Sequence, residues 1–328
     1  MYNKSNTLKI SKILNVYQEK YTNDEYCTGL GDFIRGSLCL HQYADMHKVE
    51  CDMHYANHPI SEFLQHRKTE EIKDDDNDKK AKETDVKETI HPFRVFCYKS
   101  NHLKNNPTLK KINHDFSKIM MNHPNCIQSH GTLFTLYTIA FPAQPISEVH
   151  KQRVRDAICP NPALRHKIDA FMHRLKIQPK KYNVIHVRTG DEYLVQNAFT
   201  SPQLIIDCKR AFLQVFTNHE LTNKNKEVKK DAKINADDVN KYVIISDNMD
   251  LKQKLKYAFP KLVMENYSIT HLGENACGNK EEIANTLVDF FCIANANKVF
   301  AFSTLDHGTG FSQQCCQLYN IPYTSRFL

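Results

Sequence analysis

The sequence has no long apolar run. Its most apolar stretch, "TLFTLYTIAFPA", falls well short of the ~20 residues a membrane helix needs. The opening stretch, "MYNKSNTLKISKILNVYQEK", holds no apolar core of signal-peptide length. The eleven cysteines are an odd number and lack the spacing of a compact disulfide framework. Buried, reduced thiols are the expectation, in a cytoplasmic protein without a membrane partner. Two nucleotide fingerprints are also missing. "GLGDFIRG" puts Ile34 where the dinucleotide pattern needs its third glycine, and no Gly-Lys-Ser/Thr of a P-loop occurs. A conventional NAD or ATP enzyme is therefore disfavoured. Nor is there a basic stripe interleaved with aromatics. The 44 basic and 37 acidic residues are dispersed, for a net charge of +7. That balance suits an acidic or phosphorylated small ligand, and no nucleic-acid partner is expected.

What is present is an alternation. The 328 residues, 41% hydrophobic and 25% charged, suit a globular chain of about two domains. Strand-like runs ("KVECDM", "FRVFCY", "YNVIHV", "KYVIISDN", "KLVM", "KVFAFS", "IPYTS") alternate with helical ones. In "NPALRHKIDAFMHRL", Leu164, Ile168, Phe171, Met172 and Leu175 share one helical face, and the helix starts just after the prolines. This order predicts an α/β fold with parallel sheets built from βαβ units. We divide the chain into residues 1–165 and 166–328. Residues 67–90 and 221–240 are charged tracts that can bury almost nothing apolar, and both read as exposed insertions.

In open α/β sheets, ligands bind beyond the carboxyl ends of the strands. Four places follow apolar runs in that way. In "GLGDFIRG", Gly29 and Gly31 open a helix and can bring backbone N–H groups close to an anion; a tight turn explains them equally well. In "HVRTGDE", the strand ends in Arg188, a permanently charged fork that matches phosphate, and Gly190 permits the turn after it. His186 in this run reads as a core histidine or a ligand contact. In "SDN", Ser246 and Asp247 end a strand, where the carboxylate could accept from a guanine or a ribose hydroxyl, or cap the next helix. In "FSTLDHGTGFS", Ser303 and Thr304 lead through Gly308 and Gly310 to Ser312 in a helical turn, a natural diphosphate seat. His47, Cys51, His54 and His58 form a rival, zinc-like grouping, but Pro59 and the strand-like "KVECDM" argue against the helix it would need.

Together these residues resemble the fucosyltransferase superfamily, which includes α-1,2-, α-1,6- and protein O-fucosyltransferases. "HVRTGD" looks like its His-x-Arg-x-Gly-Asp signature. "GLGDFIRG" is similar to its glycine-rich first loop, and "AFSTLDHGTGFSQQ" to its C-terminal serine-rich motif. The resemblance implies a GT-B architecture, two facing Rossmann-like domains, with an acceptor-side N-terminal domain and a GDP-sugar-binding C-terminal one. It implies an inverting, metal-independent transferase with GDP-fucose as donor substrate, no cofactor, and a glycan or protein acceptor. Arg188 would hold the β-phosphate with support from His186, and Asp247 would lie near the guanosine. Ser303, Thr304 and Ser312 would contact the diphosphate, and Gly29 and Gly31 would let the first loop approach. Asp32, Asp191 and Glu192 are the candidate bases. The chain departs from the pattern at Thr189, where several members carry a second arginine, at the doubled acid Asp191-Glu192, and in the lengthened loop at Asp306 to Gly308. Another GDP-sugar, and a catalytically idle GDP-sugar-binding protein, are the alternatives.

Overall fold

In the computed structural model, residues 10–18, 28–65, 93–95, 132–138, 141–190, 193, 199–227, 241–273, 278–306 and 308–328 are described, with 93–95 and 218–227 by backbone alone. The chain forms two units. One comprises Met1–Cys27 with Phe33–Cys159, the other Thr28–Asp32 with Pro160–Leu328.

The first unit contains strands β1 (Lys12–Val16), β2 (Glu50–His54), β3 (Phe93–Val95) and β4 (Thr132–Tyr137), all parallel, in the order β2-β1-β4-β3. Helix α1 (Leu30–His47) links β1 to β2, and α2 (Glu148–Ala157) follows β4. Phe33, Ile34, Leu38 and Leu40 of α1 are fully buried with Ile13, Leu133 and Leu136 of the sheet. Side chains of that size each contribute about 1.5–3 kcal/mol when taken from water.

The second unit is a five-stranded parallel sheet in the order β7-β6-β5-β8-β9, with β5 (Tyr182–Arg188), β6 (Lys241–Ser246), β7 (Leu262–Val263), β8 (Lys298–Ser303) and β9 (Tyr323–Phe327). Its helices are α3 (Pro162–Arg174), α4 (Pro202–Glu227), α5 (Met249–Ala258), α6 (Lys280–Ala294) and α7 (Gly310–Tyr319). Local chemistry sets their starts. Asn161 caps α3 with Pro162 in the first turn, and Asn279 and Glu282 make a reciprocal capping box on α6. Tyr182 to Val187 of β5 are all buried, as expected of a central parallel strand covered on both faces.

The α/β class and the parallel sheets agree with the sequence reading. Four details differ. Strands β1 and β4 and helix α2 are absent from that reading. In addition, α4 runs to Glu227, into the tract 221–240 taken as an insertion. Residues 67–90 and 228–240 lie outside the described residues.

Candidate functional site

The chain builds β5, β6 and β7 outward in one direction, then returns to lay β8 and β9 on the other side of β5. The gap between β5 and β8 is therefore the switch point of the sheet, where a crevice opens beyond the strand ends. Arg188 pairs with Ser303 across that gap, and Val187 pairs with Ser246 on the other side. Three of the four places singled out in the sequence thus end neighbouring strands at one edge of the sheet.

Arg188 is held from behind. Its Nη1 donates to Asp247 Oδ2 at 3.0 Å. The same carboxylate accepts from Thr189 N and Thr189 Oγ1, both at 2.9 Å, and from Gly190 N at 2.9 Å. Gly190 has φ 133°, a conformation glycine adopts without strain. Asp247 is buried, and burial pushes its carboxyl pKa up while Arg188 and the turn donors pull it back. Asp247 does not cap α5: Asn248 does, accepting from Leu251 N, while Ser246 Oγ accepts from Asn248 N. The carboxylate is left to brace the turn and orient the guanidinium.

The β8–α7 loop is tied to the same turn. Thr304 N donates to Arg188 O at 3.1 Å, and Thr304 Oγ1 donates to Thr189 O at 2.9 Å. Ser303 Oγ accepts from Leu305 N, so this hydroxyl shapes the loop. Gly308 turns at φ 72°, and Gly310 opens α7. The first turn of a helix leaves N–H groups without intrahelical acceptors. A cavity of about 140 Å³ beside it is lined by Ser303, Leu305, Gly308, Thr309, Arg326 and Phe327.

His186 lies two residues before Arg188, on the same face of β5. Its Nδ1 meets Ser312 Oγ at 2.8 Å. Burial, with Arg188 adding to it, pushes the imidazole pKa down to about 3, so the ring is neutral at ordinary pH. In the first unit, burial pushes His41 down to about 4. Both rings bind a proton more readily in the unfolded chain, near 6.5. The stability they give is complete above about pH 6.5 and is lost as pH falls toward 4 and 3, at up to about 1.4 kcal/mol per pH unit for each ring. Asp289, pushed up to about 6 by burial, acts the other way below that pH. Chemical denaturation between pH 7 and pH 5 should therefore show a smaller loss in His186→Gln than in the wild type. Equal losses in the two proteins would mean that His186 titrates normally.

The first loop belongs to this unit as well. A Cβ at Gly31 would lie 2.6 Å from Gly310 C and O, and one at Gly29 would lie 3.1 Å from His271 Nε2. Gly31 therefore allows one backbone to touch another, at the start of α7. Asp32 beside it is half-buried. Asp191 and Glu192 lie outside the described residues. The sequence reading did not assign Thr309 or Tyr323, and took Thr189 only as a departure from the family pattern. A hydroxyl next to Arg188 was the one available signal, since the carboxylate it serves is distant in sequence.

The zinc-like grouping is dispersed among other roles. His58 Nδ1 accepts from Ile60 N and its ring stacks on Tyr17, while His47 packs against Tyr43. Among the described residues no group of three His, Cys, Asp or Glu side chains is arranged to hold a metal.

Comparison of the whole fold with solved structures identifies its architecture. An Arabidopsis thaliana FUT1 mutant in complex with GDP superposes with a TM-score of 0.51 at 7% identity, covering 98% of this chain and 71% of that one. The two chains share a fold. The fucosyltransferase NodZ from Bradyrhizobium is also similar, with a TM-score of 0.46 and 13% identity over 94% of this chain and 91% of that one. POFUT1 in complex with GDP gives 0.38 at 10% identity, over 97% and 98%. No protein-family model matches the sequence, and no curated protein does. In this fold, the Arg188 turn lies at the switch point of the second sheet.

Proposed function

We propose that the chain is an inverting glycosyltransferase that moves fucose from GDP-fucose to a hydroxyl of a glycan or protein acceptor, without a metal ion or other cofactor. One observation carries this reading. A guanidinium anchored by a buried carboxylate ends the central strand at the switch point, beside an uncapped helix start, on a fold shared with a GDP-bound FUT1.

The chemistry follows from charge. Breaking the bond between sugar and diphosphate builds negative charge on the leaving group. Arg188 and the amides of the first turn of α7 stabilise that charge without a cation. Because Asp247 fixes the guanidinium, little reorganisation is needed when the charge develops. Asp32, Asp191 and Glu192 remain the candidates to take the acceptor proton. Ser303, Thr304, Gly308 and Gly310 shape the loop, and Ser312 supports His186.

The test is release of GDP from GDP-fucose, with and without glycan and peptide acceptors, beside GDP-mannose as a control donor. GDP-fucose turnover that rises with an acceptor and survives a chelator is the expected result. Binding without turnover would indicate an idle GDP-sugar-binding protein. A strict requirement for manganese or zinc would overturn the metal-independent mechanism.

A further inference from the structure

Three hydroxyls lie in line behind His186. Ser312 Oγ is 2.8 Å from His186 Nδ1, Thr309 Oγ1 is 2.6 Å from Ser312 Oγ, and Tyr323 Oη is 2.8 Å from Thr309 Oγ1. Ser312 and Thr309 are buried and Tyr323 is half-buried. The chain runs from β9 through the first turn of α7 to the central strand. Thr309 occupies the N-cap position of α7, yet its side chain makes no capping bond. A threonine there normally accepts from an amide of the first turn. Here its hydroxyl faces the chain instead.

Such a chain has a direction. Each hydroxyl gives one hydrogen, and three contacts must be bridged. When Thr309 and Ser312 both give their hydrogens along the chain, donation runs either from Tyr323 toward His186 or from His186 toward Tyr323. The end group decides between them. A phenol is a stronger donor and a weaker acceptor than an aliphatic hydroxyl, so Tyr323 gives to Thr309. Thr309 then gives to Ser312, and Ser312 gives to His186 Nδ1. Ser312 and Ser325 are further hydrogen-bond partners of Tyr323, so the phenol also reaches Ser312 directly, and Ser325 can supply the phenol oxygen. A neutral imidazole that accepts at Nδ1 carries its own hydrogen at Nε2. His186 shares a strand face with Arg188, so its tautomer decides whether that face adds a donor or a lone pair beside the guanidinium. An anion needs the donor.

We infer that Tyr323 is a positioning residue that, through Thr309 and Ser312, holds His186 as the Nε2–H tautomer, so that β5 offers a second hydrogen-bond donor to a nucleoside diphosphate. The nucleotide part rests on the function proposed above. The tautomer part does not.

The experiment uses full-length protein labelled with ¹⁵N-histidine. Long-range ¹H–¹⁵N spectra are recorded without ligand, with the His186 signals assigned from His186→Gln. GDP is then titrated into the same samples by calorimetry. The wild type should show Nε2 protonated and Nδ1 bare. Tyr323→Phe should move His186 toward the Nδ1–H form and weaken GDP binding about tenfold. Thr309→Val, which breaks the chain one link nearer, should act in the same direction. A lower melting temperature with an unmoved tautomer would make Tyr323 merely structural and overturn the inference, as would a wild type protonated at Nδ1. A wild type that fails to bind GDP overturns the nucleotide reading, while the spectra still decide the coupling.

Discussion

Arg188→Lys should slow the release of GDP from GDP-fucose by on the order of a hundredfold, almost as far as Arg188→Ala. Lysine keeps the charge. It loses the planar fork that can hold Asp247 with one nitrogen and present others to a diphosphate. In the protein one prong is already committed, since Nη1 donates to Asp247 at 3.0 Å. A lysine ammonium placed on Asp247 has no second, rigidly oriented donor, and one placed toward the ligand leaves Asp247 without its cation. Each charge-assisted bond contributes roughly 1.5–3 kcal/mol. The loss should fall on turnover more than on binding, because the leaving diphosphate gains charge in the transition state.

The sequence alone suggests that such a change leaves thermal stability nearly untouched. The structure revises that. Asp247 is buried, and removing its guanidinium leaves a carboxylate held by Thr189, Gly190 and, at 3.4 Å, the Ser246 hydroxyl. Breaking a buried pair costs about 3–5 kcal/mol when nothing else compensates. With the turn donors still present, Arg188→Ala should lose on the order of 1–2 kcal/mol. GDP calorimetry, GDP release and denaturant titration across wild type, Lys and Ala separate the two effects. Unchanged binding and turnover in Arg188→Ala would place the phosphate elsewhere, and a collapsed melting temperature would make the residue structural.

The legible parts of the sequence were those governed by periodicity and caps. The stripe of α3, the apolar β5 and β6, and the order of the last helices all follow from local patterns. Strand β1 did not, because Asn15 interrupts its apolar alternation. That asparagine is fully buried. It gives to Ser37 Oγ at 2.9 Å and accepts from Tyr137 N at 2.8 Å. A buried polar group is tolerable only with such partners, and partners 22 and 122 residues away leave no local trace. The site shows the same divide. Arg188 and the loop glycines announce themselves as strand-end and turn residues. The bond from Asp247 back to the Arg188 turn, and the hydroxyl chain behind His186, exist only once β5, β6, β8 and α7 are assembled. In "GLGDFIRG" the types were legible but the reason was not. Gly31 makes room for the backbone of Gly310, so close packing accounts for a glycine that could also have served an anion.

Among Gly29, Gly31, Gly36, Gly278, Gly308 and Gly310, Gly36→Ala should have the largest effect on stability. A Cβ at Gly36 would lie 1.5 Å from Tyr137 O, 2.4 Å from Tyr137 C and 2.9 Å from Thr138 Cα. These are backbone atoms, with no rotamer to yield. The end of β4 cannot step aside cheaply either. Tyr137 N is held by Asn15 Oδ1, and Arg35 Nε donates to Thr138 O at 3.1 Å. Accommodating the methyl means pulling α1 off the sheet or breaking that clasp. Overpacking a tight core costs typically 1–3 kcal/mol, and contact with immovable backbone exceeds that range, so we expect a loss of about 4 kcal/mol or more. A suitable control is Gly308→Ala. No atom lies within 4 Å of its added Cβ, and only the φ of 72° opposes the change. Its expected cost is about 1 kcal/mol. Urea denaturation of the two variants beside the wild type makes the comparison. A Gly36→Ala protein as stable as Gly308→Ala would mean that α1 does not lie against β4 as closely as the structure has it.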